Sequence, residues 1–226
     1  MFHRLAARGH AFVGRARGVG RDHGDAVHRH AELLGGDVEA NRLYRPATEA
    51  ERAFFARFGR VSQTATMRAI ARDENADPTS PAGRTLIELK AVDTAYPLIG
   101  AMQLSPHMSL SDALACRDIC GIAVEDALLA RLQRKIGDII LVGDTHVQIR
   151  ATIVAEPDRV AGGFTLGPHV LTSMEGLQRA GLAVEGSLIT YSYRVAFDGP
   201  LQPVAFRNAL EDSFASGGWS IDDRDN

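Results

Sequence analysis

The segment SLITYSYRVAF, residues 187–197, alternates strictly between two sets of side chains. Ile189, Tyr191, Tyr193, Val195 and Phe197 fall on one face, so the spacing predicts a β-strand with one covered side. A strand leaves its backbone N–H and C=O groups unpaired on both edges, so the rest of the chain has to supply a sheet and something to cover it.

Other segments repeat the pattern. DVEANRLY (37–44) suggests a strand through Val38, Ala40 and, less cleanly, Leu43. RVSQTATMRAIARD (60–73) alternates and carries β-branched Val61, Thr64 and Thr66, and TLIELKAVD (85–93) is the returning strand. Between them DENADPTSPAG is polar with two prolines and reads as the hairpin tip. DIILVGDTHVQIRATIVAEPD (138–158) predicts a second hairpin: Ile139–Val142, a turn at Gly143-Asp144, then alternating Val147, Ile149 and Thr152. GWSIDD (218–223) begins a further strand that the sequence leaves short.

Helices are expected between these strands. DAVHRHAELLGG, from Asp25, has helical spacing and stops at Gly35-Gly36. Thr48 stands at an N-cap position with Glu51 three residues on, a capping box for ATEAERAFFARFG. Phe54, Phe55 and Phe58 form the buried face of that helix, and Gly59 ends it. GIAVEDALLARLQRKIGD (121–138) predicts a helix with Val124, Leu128, Leu129 and Leu132 on one face. LTSMEGLQRAG reads as helical from Thr172 or Ser173 to Gly181, and PVAFRNALEDSFAS as amphipathic. YPLIGAMQL reads as extended, and SLSDALACRD as a loop or single turn. The fold class is therefore α+β, and 226 residues suffice for one large domain or two small ones.

Charge and composition exclude several functions. Residues 1–21 hold Arg4, Arg8, Arg15, Arg17 and Arg21 and no acid, which leaves a mildly acidic body. Such a body lacks the basic face expected of a nucleic-acid binder, so no nucleic-acid partner is expected. No window of ~18 apolar residues suits a membrane helix, and the arginine-rich start lacks the apolar centre of a secretory signal. Lys90 and Lys135 follow no glycine-rich phosphate loop, and RGVGRDHG has the wrong spacing for a dinucleotide fingerprint. His23, His28 and His30 beside Asp22 and Asp25 lack the i, i+4 spacing of a helical zinc site. Cys116 and Cys120 are expected as unpaired thiols, because a four-residue separation on a helix is poor disulfide geometry.

The run EPDRVAGGFTLGPHVLTSMEGL, from Glu156 to Leu177, invites a catalytic reading with Glu156, Asp158, His169 and Ser173. No G-x-S-x-G elbow surrounds any serine, and triad members usually come from separate elements. The run reads better as a connector: EPDR leaves a strand, Gly162-Gly163 gives backbone freedom, Phe164 and Leu166 dock, and Thr172 or Ser173 caps a helix. The sequence nominates no catalytic, cofactor-binding or metal-binding residue, and a hydrolase using His169 and Ser173 stands as a minor alternative.

The order of segments carries a resemblance. LLGGDVEANRLYRPATEAERAFFARFGRVSQTATMRAIAR (33–72), LIELKAVDTAYPLIGAMQL (86–104), GIAVEDALLARLQRKIGDIILVGD (121–144), EPDR with FTLGPHVLTSMEGLQRAGL (156–182) and GWSIDDRDN (218–226) resemble, in order, the extracytoplasmic domain of FtsX-like, MacB-type ABC transporter permeases. The similarity is to the large branch with two FtsX-like membrane modules. It implies a noncatalytic periplasmic module set between the first two membrane helices of a permease in the bacterial inner membrane, without cofactor. It also implies two lobes: a porter-like α+β lobe from 25–92 with 188–226, and a β-rich lobe from 93–187, after a poorly ordered basic leader (1–24). The implied partners are a separate ATPase subunit, reached through membrane parts, and a lipid, lipoprotein or other extracytoplasmic substrate. Arginine-rich sequence stands where the family has its first membrane helix, so a truncated fragment is expected. A stand-alone soluble binding domain is the alternative.

Overall fold

The computed structural model describes residues 36–75, 83–157, 167–199 and 203–223. The basic leader, the helix expected from Asp25 and the centre of the first hairpin tip lie outside the described residues. Ten strands and five short helices alternate among the described residues. The strands are β1 (Asp37–Leu43), β2 (Gly59–Asp73), β3 (Arg84–Val92), β4 (Gln103–Ser105) and β5 (Cys120–Val124), followed by β6 (Ile139–Val142), β7 (Thr145–Ala155), β8 (His169–Ser173), β9 (Thr190–Phe197) and β10 (Ser220–Asp223). The helices are α1 (Glu49–Ala56), α2 (Leu110–Leu114), α3 (Asp126–Leu132), α4 (Met174–Arg179) and α5 (Pro203–Ser213). The α+β class read from the sequence is correct.

The fifteen-residue β2 organises the sheet. One of its edges pairs with β3 over Thr64–Arg72. The other edge pairs first with β9 over Gly59–Thr66 and then with β6 over Ala71–Asp73. Beyond β9 the sheet continues through β1 to β10. On the β3 side, β3 pairs in parallel with β8, β8 with β5, β5 in parallel with β7, and β7 with β6. Since β6 returns to β2, these six strands form a closed ring, which leaves none of them a free edge along the paired stretch. Strand β4 adds to the far end of β7.

Closure of the ring buries strands on both faces. Ile87 and Leu89 of β3, Ile122 and Val124 of β5, Ile140 and Val142 of β6, Val147 and Ile149 of β7 and Val170 of β8 enter the main core. On the opposite faces Val92, Ala123, Ala151 and Leu171 join Tyr96, Leu104, Ala113 and Leu114 in a second, smaller core. This explains two differences from the sequence reading. GIAV does not continue the following helix: all five residues of β5 are buried, and α3 begins only after Glu125. HVLTS is likewise a strand, with the helix beginning at Met174 after Ser173, whose Oγ accepts from Gly176 N at 3.0 Å. A continuous apolar run has the same appearance in a buried strand as in a buried helix.

At the other end of the sheet α1 and α5 cover β9. Phe55 packs against Tyr193 and Phe206 with ring centroids 5.4 and 6.0 Å apart, and Phe54, Phe58 and Phe214 complete the cluster. The predicted capping box at Thr48 is present, with the helix ending at Ala56, earlier than Gly59. Gly59 instead opens β2, where a Cβ would collide with the carbonyl oxygen of Ala196.

Glu51 does more than cap. Its carboxylate accepts from Thr48 N at 2.7 Å, from Arg42 Nη1 at 2.6 Å and Nη2 at 3.1 Å, and from Trp219 Nε1 at 3.0 Å. The guanidinium of Arg42 also lies 4.0 Å from the Trp219 ring centre and donates to the carbonyls of Pro46 and Gly217. Burial by itself would raise the Glu51 carboxyl, but the bonds from Arg42 and Thr48 outweigh it and hold it at about 2. A depressed carboxyl stabilises the fold above its ordinary value and loses that contribution as pH falls through the folded one. Urea denaturation should therefore show Glu51→Ala less stable at neutral pH by about 3–5 kcal/mol, the cost of stranding a buried arginine. Thr48→Ala should cost only about 1 kcal/mol. The gap between wild type and Glu51→Ala should narrow as pH falls from about 4.5 towards 2.

Candidate functional site

The strand β3 presents Ile87, Leu89 and Ala91 to the main core, so Glu88, Lys90 and Val92 face the other way. Parallel pairing sets His169 of β8 opposite Glu88 and Leu171 opposite Lys90. Glu156, just past the end of β7, completes a charged cluster on this face. Its Oε1 accepts from Lys90 Nζ at 2.7 Å and from the Tyr96 hydroxyl at 2.6 Å. Its Oε2 lies 3.0 Å from His169 Nε2, and His169 Nδ1 lies 3.3 Å from Glu88 Oε1.

The centre of the cluster is closed to solvent, the Glu156 and His169 side chains being 2% and 4% exposed, while Glu88 stands at its partly exposed rim. Burial alone would raise Glu156, but the bond to His169 and the charge of Lys90 hold its carboxyl far below the usual range. For His169 burial works against the charged ring, yet hydrogen bonding to Glu156 and Glu88 prevails and raises it above its ordinary value. The imidazole backbone is fixed as well, His169 N donating to Glu125 Oε2 at 2.8 Å and Glu125 N to His169 O at 3.0 Å.

These positions separate the residues that the sequence might have grouped as a triad. Ser173 and His169 lie on one strand, four residues and so about 13 Å apart. The Ser173 hydroxyl caps α4 and sits 3.4 Å from Cys116 Sγ. Asp158, Gly162-Gly163, Phe164 and Leu166 lie outside the described residues, as do His23, His28, His30, Asp22 and Asp25. Among the described residues no group of three or more His, Cys, Asp or Glu side chains is arranged to hold a metal ion. The Lys90–Glu156–His169 cluster was missed because its members are far apart in sequence; the polar Glu88 and Lys90 within an otherwise apolar strand were its one local trace.

Tyr96 joins this cluster to a neighbouring cleft of about 600 Å³. Val92, Leu110, Leu114 and Met174 line it together with Asp93, Ser173 and Glu175. Cys116 forms part of the same wall and, contrary to the expectation of unpaired thiols, is joined to Cys120 in a disulfide. The two cysteines do not share a helix. They face one another across an antiparallel bridge after α2, where Arg150 holds the turn by donating to Ala115 O at 2.8 Å and Ile119 O at 3.0 Å.

No family model matches the chain. In sequence it is 29% identical over 109 residues to the uncharacterized ABC transporter permease YbbP of Escherichia coli K12, a match spanning 48% of this chain and 13% of that protein. In structure it is similar to the extracellular domain of the noncanonic ABC-type transporter YknZ from Gram-positive bacteria, with a TM-score of 0.54 and 13% identity, covering 83% of this chain and all of that one. The periplasmic region of MacB from Actinobacillus actinomycetemcomitans gives a TM-score of 0.53 at 9% identity, covering 88% and 94%. The chain has the fold of the extracytoplasmic domain of a MacB-type ABC permease. A permease domain from Porphyromonas gingivalis shares it, with a TM-score of 0.50, 10% identity and coverage of 82% and 85%. Among the described residues no helix is long and apolar enough to cross a membrane.

Glu156→Gln should destabilise the domain by on the order of 3 kcal/mol, since Lys90 and His169 lose their shared carboxylate. It should also move the His169 titration midpoint, followed by imidazole NMR, downwards. The sign follows from linkage: the raised His169 contributes stability below its ordinary value, lost as pH rises through the folded one, and Glu156 contributes above its ordinary value, lost on acidification. For the disulfide, the denatured unreduced protein should show no reactive thiol, and Cys120→Ser should cost about 2 kcal/mol by the chain-entropy estimate for so short a loop.

Proposed function

We propose that the chain is a noncatalytic extracytoplasmic domain of an ABC transporter permease that relays ATP-driven motion of membrane helices to a substrate or partner outside the membrane. The observation that carries this reading is the pairing of the two ends of the described fold. Val38 of β1 lies opposite Asp223 of β10 in an antiparallel pair, so the backbone enters and leaves side by side. That arrangement suits a domain inserted between two neighbouring membrane helices. The Arg42–Glu51–Trp219 contact then couples both legs to α1 and the aromatic core, so displacement of either leg reaches the body of the domain.

On this reading residues 25–92 with 188–226 form the lobe carrying the legs, and residues 93–187 the outer lobe. Long β2 and its partner β3, counted with the first lobe, join the two by pairing with β6 and β8 of the outer one. A separate ATPase subunit acts through the membrane parts, and the substrate is a lipid, lipoprotein or other molecule outside the membrane, at the periplasmic face of the inner membrane. The burial of His169 and Glu156, and the capping role of Ser173, favour a structural use of these groups over hydrolysis.

The test uses the gene with its flanking reading frames. The product should be a membrane protein that copurifies with an ATPase subunit. Replacing residues 37–223 by a short linker should leave that complex assembled and abolish its transport. A product that stays out of the membrane, or transport that survives the replacement, would overturn the reading. Ester or peptide turnover abolished by Ser173→Ala would establish the hydrolase alternative in its place.

A further inference from the structure

The cleft beside Tyr96 has a chemistry that the fold does not require. Its volume of about 600 Å³ lies within the range of small-molecule sites. Val92, Tyr96, Leu110 and Leu114, continuous with the smaller of the two cores, and Met174, which packs against the main core, give it an apolar floor. Among the described residues that line it the charged ones are Asp93 and Glu175, both acidic.

Asp93 is held firmly in place. Its Oδ2 accepts from Gln63 N at 2.7 Å and its Oδ1 from Ala95 N at 3.1 Å. Glu175 stands on the exposed first turn of α4, its Oε1 accepting from Arg179 Nη2 at 2.6 Å. The wall opposite is built from Ser109 and Ser111 at the start of α2 and from the Cys116 end of the disulfide turn.

We propose that this cleft binds an amphiphile with an apolar chain and a cationic amine head, the chain lying on the Leu110–Leu114–Met174 floor and the head against Asp93. An apolar chain removes that floor from water, and an ammonium group supplies the opposite charge that the lining lacks. Burial raises the Asp93 carboxyl despite its backbone donors, so a cation beside it offsets a cost that a neutral or anionic head leaves in place. This goes beyond the permease reading and does not rest on it: a chain that binds such a molecule without belonging to a permease retains the inference.

Three probes with one tail and different heads test the proposal: octyltrimethylammonium, octyl sulfate and octyl glucoside. Each is titrated calorimetrically, below its micelle-forming concentration, into the full 226-residue chain. The cationic probe should saturate at one per chain and bind at least about tenfold more tightly than the anionic one. Ser111→Trp, an exposed change at the mouth, should remove the binding by filling the cleft. Asp93→Asn should weaken the cationic probe about tenfold and leave the glucoside unchanged. Because Asp93 also accepts two backbone N–H groups, Glu175→Gln provides a second variant on the exposed rim, expected to weaken the cationic probe severalfold without moving the thermal midpoint. Equal affinity for all three heads, uptake without saturation, or undiminished binding by Ser111→Trp would overturn the proposal.

Discussion

The buried contact between Arg42 and Glu51 is the interaction on which the order of this fold depends. Three separate parts of the chain meet there: β1 supplies the guanidinium, α1 the carboxylate, and the segment leading into β10 the indole and a carbonyl. A buried ion pair adds little to stability when compared with a well-packed apolar substitute. Its value lies in what it forbids. With either partner displaced, a charge is left in the core, so β1, α1 and the last strand are tied to one mutual arrangement. The surrounding rings of Phe55, Tyr193 and Trp219 supply the apolar burial, and the ion pair supplies the register.

The second constraint is topological. Strand β2 cannot be assigned to a single end of the molecule, because the same backbone edge pairs with β9 and then with β6. Wherever a ring of strands closes, each strand faces an interior on one side and whatever packs outside on the other. Here the outside is covered too, by α2 and the segment around Tyr96 and Leu104. Polar groups on that outer face therefore had to be paired, and Glu88, Lys90, Glu156 and His169 pair with one another.

These two constraints also explain what was legible in the sequence. The alternation of SLITYSYRVAF and the Thr48–Glu51 capping box are local signals, and both gave the right element. The hairpin at Gly143-Asp144 was legible for the same reason: Val142 pairs with Thr145 across a turn whose first residue has a positive φ of 61°. CGIAV and HVLTS were not legible as strands, because burial on both faces erases alternation. The Cys116–Cys120 bond was missed because its geometry depends on a backbone reversal that no residue pattern announces. The charged cluster left only Glu88 and Lys90 as a faint local trace: Lys90 and Glu156 are 66 residues apart and meet only through the ring.

The stretch from Glu156 to Leu177 illustrates how environment assigns a role to residue types that catalysis also uses. Glu156 and His169 would be an acid–base pair if solvent or a substrate could reach them, yet both are sealed and already matched in charge. What an enclosed pair of this kind does is fix position. Glu156, at the end of β7, and His169, at the start of β8, are joined to each other and to β3 through Lys90 and Glu88. The positions of Glu156 and His169 relative to one another are thus fixed by their side chains. Tyr96 belongs to this assembly through its hydroxyl and to the adjoining cleft through its ring. One wall of the cleft is therefore held by the charged cluster, so the packing of Glu156 and His169 also fixes the shape of that cleft.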